Sequence, residues 1–127
     1  MKKSKQGIIS VVFALISLFS YGQKLKLMTY NIRLDVASDA ENDWTHRKDF
    51  CTSQIQFYGP DIFGVQEAKP NQVIDIENAL PEYNNVGIGR EGLGKGESSN
   101  IYYKIERFSI KESNTFWLSE TPNQISK

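Results

Sequence analysis

The sequence predicts an α/β chain in which helices cover a mixed sheet, and three observations carry that expectation. Polarity alternates through residues 24–30, as it does along a strand with two unlike faces. Two stretches of helical spacing follow, separated by a short and nearly continuous apolar run, DIFGVQ at 61–66. Beyond residue 82 come strand-like runs with no further helical spacing. Strand, helix, strand, helix and then strands is the order of a sheet covered by helices.

Each element has its own signals. The strand at 24–30 places Leu25, Leu27 and Thr29 on one side. Asp43 or Thr45 can cap the helix that follows, because a short side-chain oxygen accepts from amides left free in the first turn. Phe50, Cys51, Ile55 and Tyr58 recur at helical spacing, and Gly59-Pro60 stops the segment. The run at 61–66 reads as a strand covered on both faces. Pro70 suits the first turn of a second helix, whose Val73, Ile76 and Leu80 share a face before Pro81 ends it. Strands are expected at 83–88, 101–104, 108–113 and 115–118, with Ile105-Glu106-Arg107 short enough for a hairpin connection. There is no internal repeat and no linker between domains.

The chain has 127 residues, 39% hydrophobic and 24% charged, which excludes a disordered polyelectrolyte or a collagen-like chain. Its one cysteine, Cys51, cannot close an intramolecular disulfide or supply a zinc cluster. Residues 1–22 read as a cleaved secretory signal. Lys2, Lys3 and Lys5 form a positive start, residues 8–20 are apolar or small, and Ser20-Tyr21-Gly22 suits signal peptidase. The competing reading is a membrane anchor, but the run is 13 residues long and a bilayer needs roughly 20. No cysteine follows the cut, which argues against a lipoprotein. The expected location is secreted or periplasmic, with no transmembrane segment in the mature chain.

Residues 23–127 then hold 12 bases against 15 acids, although the whole chain is formally neutral. That stretch shows no cluster of Lys and Arg, so it lacks the basic face that non-specific nucleic-acid binding needs. About 105 residues are enough for a modest core.

Two glycine motifs fail on context. Gly87-Ile88-Gly89-Arg90-Glu91-Gly92 fits the dinucleotide pattern, but that pattern works only where a helix starts on it. Here Gly94 and Gly96 follow, then Ser98, Ser99, Asn100 and a strand-like run. Gly89 to Gly96 also misses the phosphate loop of nucleotidases, since Gly96 stands where Ser or Thr should be. A flexible connection between strands is the plainer reading, and such a loop can still line a site.

The strand ends are more informative. Asn31 ends the first strand and Glu67 the second, and ligands of open α/β sheets sit at the carboxyl ends of strands. If these strands are parallel neighbours, an amide oxygen and a carboxylate meet at one edge. Hard oxygen ligands with no Cys or His beside them suit Mg2+, Mn2+ or Ca2+. The alternative is that Asn31 caps a turn and Glu67 is solvated.

The residues also carry a resemblance. Met28-Thr29-Tyr30-Asn31-Ile32-Arg33, Asn42-Asp43-Trp44 with Arg47, and Pro60-Asp61-Ile62 through Gln66-Glu67 resemble the endonuclease/exonuclease/phosphatase superfamily. Gly89-Arg90, Gly96-Glu97, Ile101-Tyr102-Tyr103 and Thr115-Phe116-Trp117-Leu118-Ser119-Glu120-Thr121-Pro122 resemble its secreted bacterial branch. The match runs in order from about Lys24 onward; each piece is weak alone and the ordered set is specific.

The resemblance implies a four-layer, deoxyribonuclease-like α/β sandwich that hydrolyses phosphoesters with a divalent cation. By that resemblance Asn31 lies near the reacting phosphate, orienting the nucleophile or touching metal. Glu67 is the principal metal ligand, and Glu97 is the acid that buttresses a catalytic histidine. Arg90 is a candidate for the substrate phosphate, with a surface charge as the alternative. Trp44 and Arg47 are expected to brace the loop after Asn31, and Trp117 to lie in the core. Nucleic acids, phospholipids such as sphingomyelin, and sugar or inositol phosphates are the candidate substrates; acidity and export favour a small or lipid phosphoester. No obligate protein partner is implied.

One departure is large. Family members run to roughly twice this length, and their second half supplies the catalytic histidine, an Asp-x-Asn pair and a late Asp-His pair. The lone histidine, His46, sits at a helix start and reads as a cap-region residue. The chain therefore reads as the amino-terminal half of an enzyme, and residues 23–127 alone are expected to aggregate or stay poorly ordered and to hydrolyse nothing. The rival reading is a secreted binding or adhesion module without catalysis.

Overall fold

The computed structural model describes residues 22–126, so the signal-like segment before Gly22 lies outside the described residues. Four strands form one sheet: β1 (Leu27–Asn31), β2 (Ile62–Gln66), β3 (Tyr83–Val86) and β4 (Ile101–Lys104), in the order β1-β2-β4-β3. β1 runs parallel to β2, with Leu27 against Ile62 and Asn31 against Gln66. β4 is antiparallel to both β2 and β3. The sheet is mixed, as expected, and β1 and β3 are its edges.

A parallel pair needs a crossover, and helix α1 (Trp44–Tyr58) is part of it. A short 3₁₀ segment, Ala37–Asn42, precedes it. Asp43 caps α1 by accepting from the His46 amide at 3.2 Å, and Gly59 ends it in the left-handed conformation at φ 52°. Helix α2 (Pro70–Ala79) starts on its proline and packs beside α1, with Trp44 Nε1 donating to Asp75 Oδ2 at 2.8 Å.

Both helices cover one face of the sheet. Trp44, Cys51 and Ile55 of α1 and Ile76 of α2 close over Phe63 and Val65 of β2 and Tyr102 of β4. Phe63 and Tyr102 face each other across the β2–β4 ladder and stack at 4.7 Å between centroids. Met28 and Tyr30 are the half-buried β1 residues against this core. The alternation along β1 is therefore real, and Leu25, Leu27 and Thr29 form its outward side, Leu27 being 66% exposed. The described residues form one sheet and one helical layer.

Four expectations are corrected. The α1 stripe buries Cys51 and Ile55 but not Phe50 or Tyr58. Phe50 is 64% exposed because it lies one residue, about 100° of helix rotation, away from Cys51, and Tyr58 is the last helical residue. β2 is not covered on both faces: Phe63 and Val65 are buried, while Ile62, Gly64 and Gln66 are half-open. The strand expected at 83–88 stops at Val86, where Gly87 takes φ 145°. No strand forms at 108–113 or 115–118, and 105–107 makes a turn without a hairpin partner. Both edges of β4 are already taken by β2 and β3, so a following segment has nowhere to pair with it.

Ile55→Ala is expected to destabilise the fold by roughly 2–5 kcal/mol in urea unfolding, since the fully buried side chain leaves a cavity. Phe50→Ala should stay within about 0.5 kcal/mol of the parent. Equal effects would return Phe50 to the core.

Candidate functional site

The site begins at the carboxyl ends of β1 and β2. Their register sets Asn31 opposite Gln66, one residue short of Glu67. In a continued strand Glu67 would point to the other face. Instead its backbone turns left-handed at φ 63°, as does Arg33 at φ 60°, conformations that cost a non-glycine residue about 1–2 kcal/mol each. The turn brings the Glu67 carboxylate back to Asn31.

The contact is close. Asn31 Nδ2 donates to Glu67 Oε1 at 2.7 Å, and the Leu34 amide donates to Glu67 Oε2 at 3.1 Å. Asn31 Oδ1 accepts from the Arg33 amide at 2.9 Å. The amide nitrogen of Asn31, rather than its oxygen, thus meets the carboxylate, and the residue caps a turn at the same time. The Asn31 amide first, then the Leu34 N–H, hold the Glu67 carboxyl below its ordinary value of 4.5; partial burial opposes them and Arg33 adds a smaller pull. Glu67 is therefore ionised at neutral pH.

The loop after β1 is fastened from two sides. Arg47 donates to the Ile32 carbonyl at 2.6 Å, to the Arg33 carbonyl at 3.3 Å and to the Asn42 carbonyl at 2.6 Å. Its guanidinium lies 5.7 Å from the centre of the Trp44 ring. Arg47 braces the loop as expected, and buried Trp44 supports it. On the other side stands Gln72, a fully buried residue whose importance the sequence reading missed. It joins the loop to the start of α2, and its local signals are a Gln at the third helical position, where it caps the Lys69 amide, and a polar residue in the stripe of Ile76 and Leu80.

Asn31, Glu67, Arg90 and Glu97 all line one cleft of about 450 Å³, together with Phe116 and Trp117. Arg90 Nη1 donates to Glu97 Oε1 at 2.7 Å. The glycine loop that carries Arg90 is a folded turn and no helix starts on it, so the dinucleotide pattern is without its structural context. Gly89 accepts from Gly92 within this turn, and a Cβ at Gly89 would sit 1.8 Å from the Lys95 carbonyl oxygen. Trp117 corrects a further expectation: it is half-buried against the cleft, its Nε1 donating to the Arg90 carbonyl at 2.8 Å, and is no part of the core. His46 lies outside the cleft, exposed and bonded to Asp43 Oδ1 at 2.8 Å. Among the described residues no group of three or more His, Cys, Asp or Glu is placed to hold a metal ion, and no helix is long and apolar enough to cross a membrane.

No family model and no curated protein sequence matches the chain. Solved structures do. An endonuclease/exonuclease/phosphatase from Bacteroides vulgatus is 37% identical with a TM-score of 0.79, over 82% of this chain and 40% of that one. A mannosyl-6-phosphatase of Bacteroides thetaiotaomicron is 40% identical with a TM-score of 0.78, over 81% of this chain and 40% of that one. ANGEL2, a 2′,3′-cyclic phosphatase, is 20% identical with a TM-score of 0.62, over 76% of this chain and 32% of that one, a likeness of fold alone. The chain spans about two fifths of the length of the two Bacteroides proteins.

The pH dependence follows from the Glu67 contacts. A carboxyl that titrates lower when folded contributes stability in full above its unfolded value of 4.5 and loses it as the pH falls through the folded value. Asn31→Ala removes the larger cause. The Glu67 midpoint, followed by carboxyl-carbon NMR, should rise toward 4.5 and the acid loss of stability attributable to it should shrink; an unmoved midpoint would refute the assignment.

Proposed function

The chain belongs to the endonuclease/exonuclease/phosphatase family, and on that premise we propose that it provides the cation- and phosphate-binding part of a divalent-metal-dependent phosphoester hydrolase. One observation carries the reading. An ionised carboxylate held by an amide, Glu67 with Asn31, shares a cleft with a guanidinium, Arg90.

The donor set fits a hard divalent ion. Glu67 supplies carboxylate oxygen in a cleft with room for water, and Mg2+ commonly keeps several waters while using one or two carboxylates. Mg2+ is the expected ion, with Mn2+ or Ca2+ as substitutes. Glu67 would be the principal ligand, and Asn31 would orient it, its oxygen being already bonded to the Arg33 amide. Bound there, such a cation would polarise a phosphoryl oxygen and offset the charge that develops as the ester breaks. Arg90 presents a planar donor suited to phosphate oxygens, and Glu97 holds it ready until a phosphate competes for it.

A small phosphoester, such as a sugar phosphate, suits this cleft better than nucleic acid. Arg90 is the one cation among the described residues that line it, whereas strong nucleic-acid binding neutralises several phosphates. The mannosyl-6-phosphatase at 40% identity supports the same choice. Export behind a signal cleaved after Gly22 would place this activity outside the cytoplasm. Among the described residues no histidine lines the cleft, so we propose that residues 23–127 bind cation and phosphate without turnover, since general acid–base help typically contributes ~100- to 10,000-fold.

The test is thermal unfolding of the chain with Mg2+ or Mn2+, alongside phosphate release from hexose phosphates. Cation at 100 times its dissociation constant stabilises by about 2.7 kcal/mol, worth roughly 10 °C or more in a domain of this size. That shift should vanish in Glu67→Gln and on chelation, Arg90→Ala should weaken binding of inorganic phosphate about tenfold or more, and phosphate release should stay at background. A Glu67→Gln chain with the full shift overturns the cation site and leaves the binding-module reading standing. Turnover by the chain overturns the proposed division of labour.

A further inference from the structure

We propose that Gln72 is a positioning residue of the cleft, gripping the backbone on both sides of Leu34 so that the Leu34 amide is held against the Glu67 carboxylate. The inference rests on the reading of Glu67 as the cation ligand and adds a residue to it.

Gln72 stands where an amphipathic helix would place a hydrophobe, one and two turns before Ile76 and Leu80 and fully buried like them. A side chain wanted only for packing there would be apolar, because burying an amide is costly unless its hydrogen bonds are made. Gln72 makes them. Its Oε1 accepts from the Asp35 amide at 3.1 Å and from the Lys69 amide at 3.0 Å, and its Nε2 donates to the Arg33 carbonyl at 2.9 Å. The two amide donors and one carbonyl acceptor fix which way round the side-chain amide sits.

The partners reveal its role. Arg33 and Asp35 flank Leu34, whose amide donates to Glu67 Oε2. Lys69 follows Glu67 by two residues. Gln72 therefore joins the exits of β1 and β2, the two segments that must stay in register for the carboxylate to keep its direction. Arg47 holds the Ile32 and Arg33 carbonyls, so it shares the Arg33 end of the loop but does not touch Asp35.

The experiment compares the chain with Gln72→Glu, Gln72→Leu, Glu67→Gln and, as a control on the exposed side of α2, Asn78→Ala. Mn2+ affinity is read by electron paramagnetic resonance, and the Leu34 and Val65 amides are followed by NMR shift and hydrogen exchange at pH 7.5. Gln72→Glu keeps the shape and the accepted bonds but loses the donation to Arg33; Gln72→Leu loses all three. Both should weaken Mn2+ binding about 10- to 100-fold, the usual cost of losing a group behind a metal ligand, and shift and deprotect Leu34 while leaving Val65 in β2 unchanged. Asn78→Ala should change neither readout. Should Gln72→Leu fail to fold, Gln72→Glu decides, and in the parent chain itself Leu34 and Asp35 must exchange slowly; exchange at the solvent rate overturns the proposal. Weak binding in Glu67→Gln with parental binding and parental Leu34 signals in the Gln72 variants overturns this inference alone. Parental binding in Glu67→Gln, or no Mn2+ binding by the parent chain, overturns the cation reading and this inference with it.

Discussion

The parallel pairing of β1 with β2 is the constraint on which core and site both depend. In its observed register Met28, Tyr30, Phe63 and Val65 face the helices, and Asn31 ends level with Gln66. Side chains alternate with period two, so a slip of one residue would send the β1 pair toward solvent and carry Asn31 away from Glu67. Apolar burial thus selects the same register that the polar contact requires. Hydrophobic packing supplies the energy, and the strand ends inherit the geometry.

Much of this was legible in residue order. Gly59-Pro60 and Pro70 punctuate the helices where the structure ends one and starts the other, and Asp43 caps as a short acceptor should. Asn31 and Glu67 stand at strand ends, where local pattern is enough to find them. The chain after Lys104 was misread because its alternation is a local property, while a strand also needs a partner, and the preceding strand β4 is already paired on both sides. Trp117 looked like core for the same reason: an apolar run says nothing of where the chain passes. The direction of the Asn31 amide and the bonds of Gln72 to Arg33 and Asp35 depend on contacts between segments more than 30 residues apart. No window of sequence contains them.

The helices do more than cover the sheet. α1 reaches the loop after β1 through Arg47, and α2 reaches it through Gln72, each from its first turn. These polar contacts satisfy carbonyls and amides that a loop on a buried surface would otherwise leave unpaired. They also explain how two residues can keep left-handed backbone without glycine, since strain of this kind persists only where the surroundings over-determine it.

Arg47 spends its charge on backbone carbonyls, and the cleft is left with Glu67, Glu97 and Arg90 as its charged walls. Those three sum to one negative charge, which repels a phosphate dianion and draws a divalent ion. Arrival of such an ion inverts the sum. On the cation reading proposed above, metal and anionic ester are then linked ligands, each favouring the other's binding in this cleft.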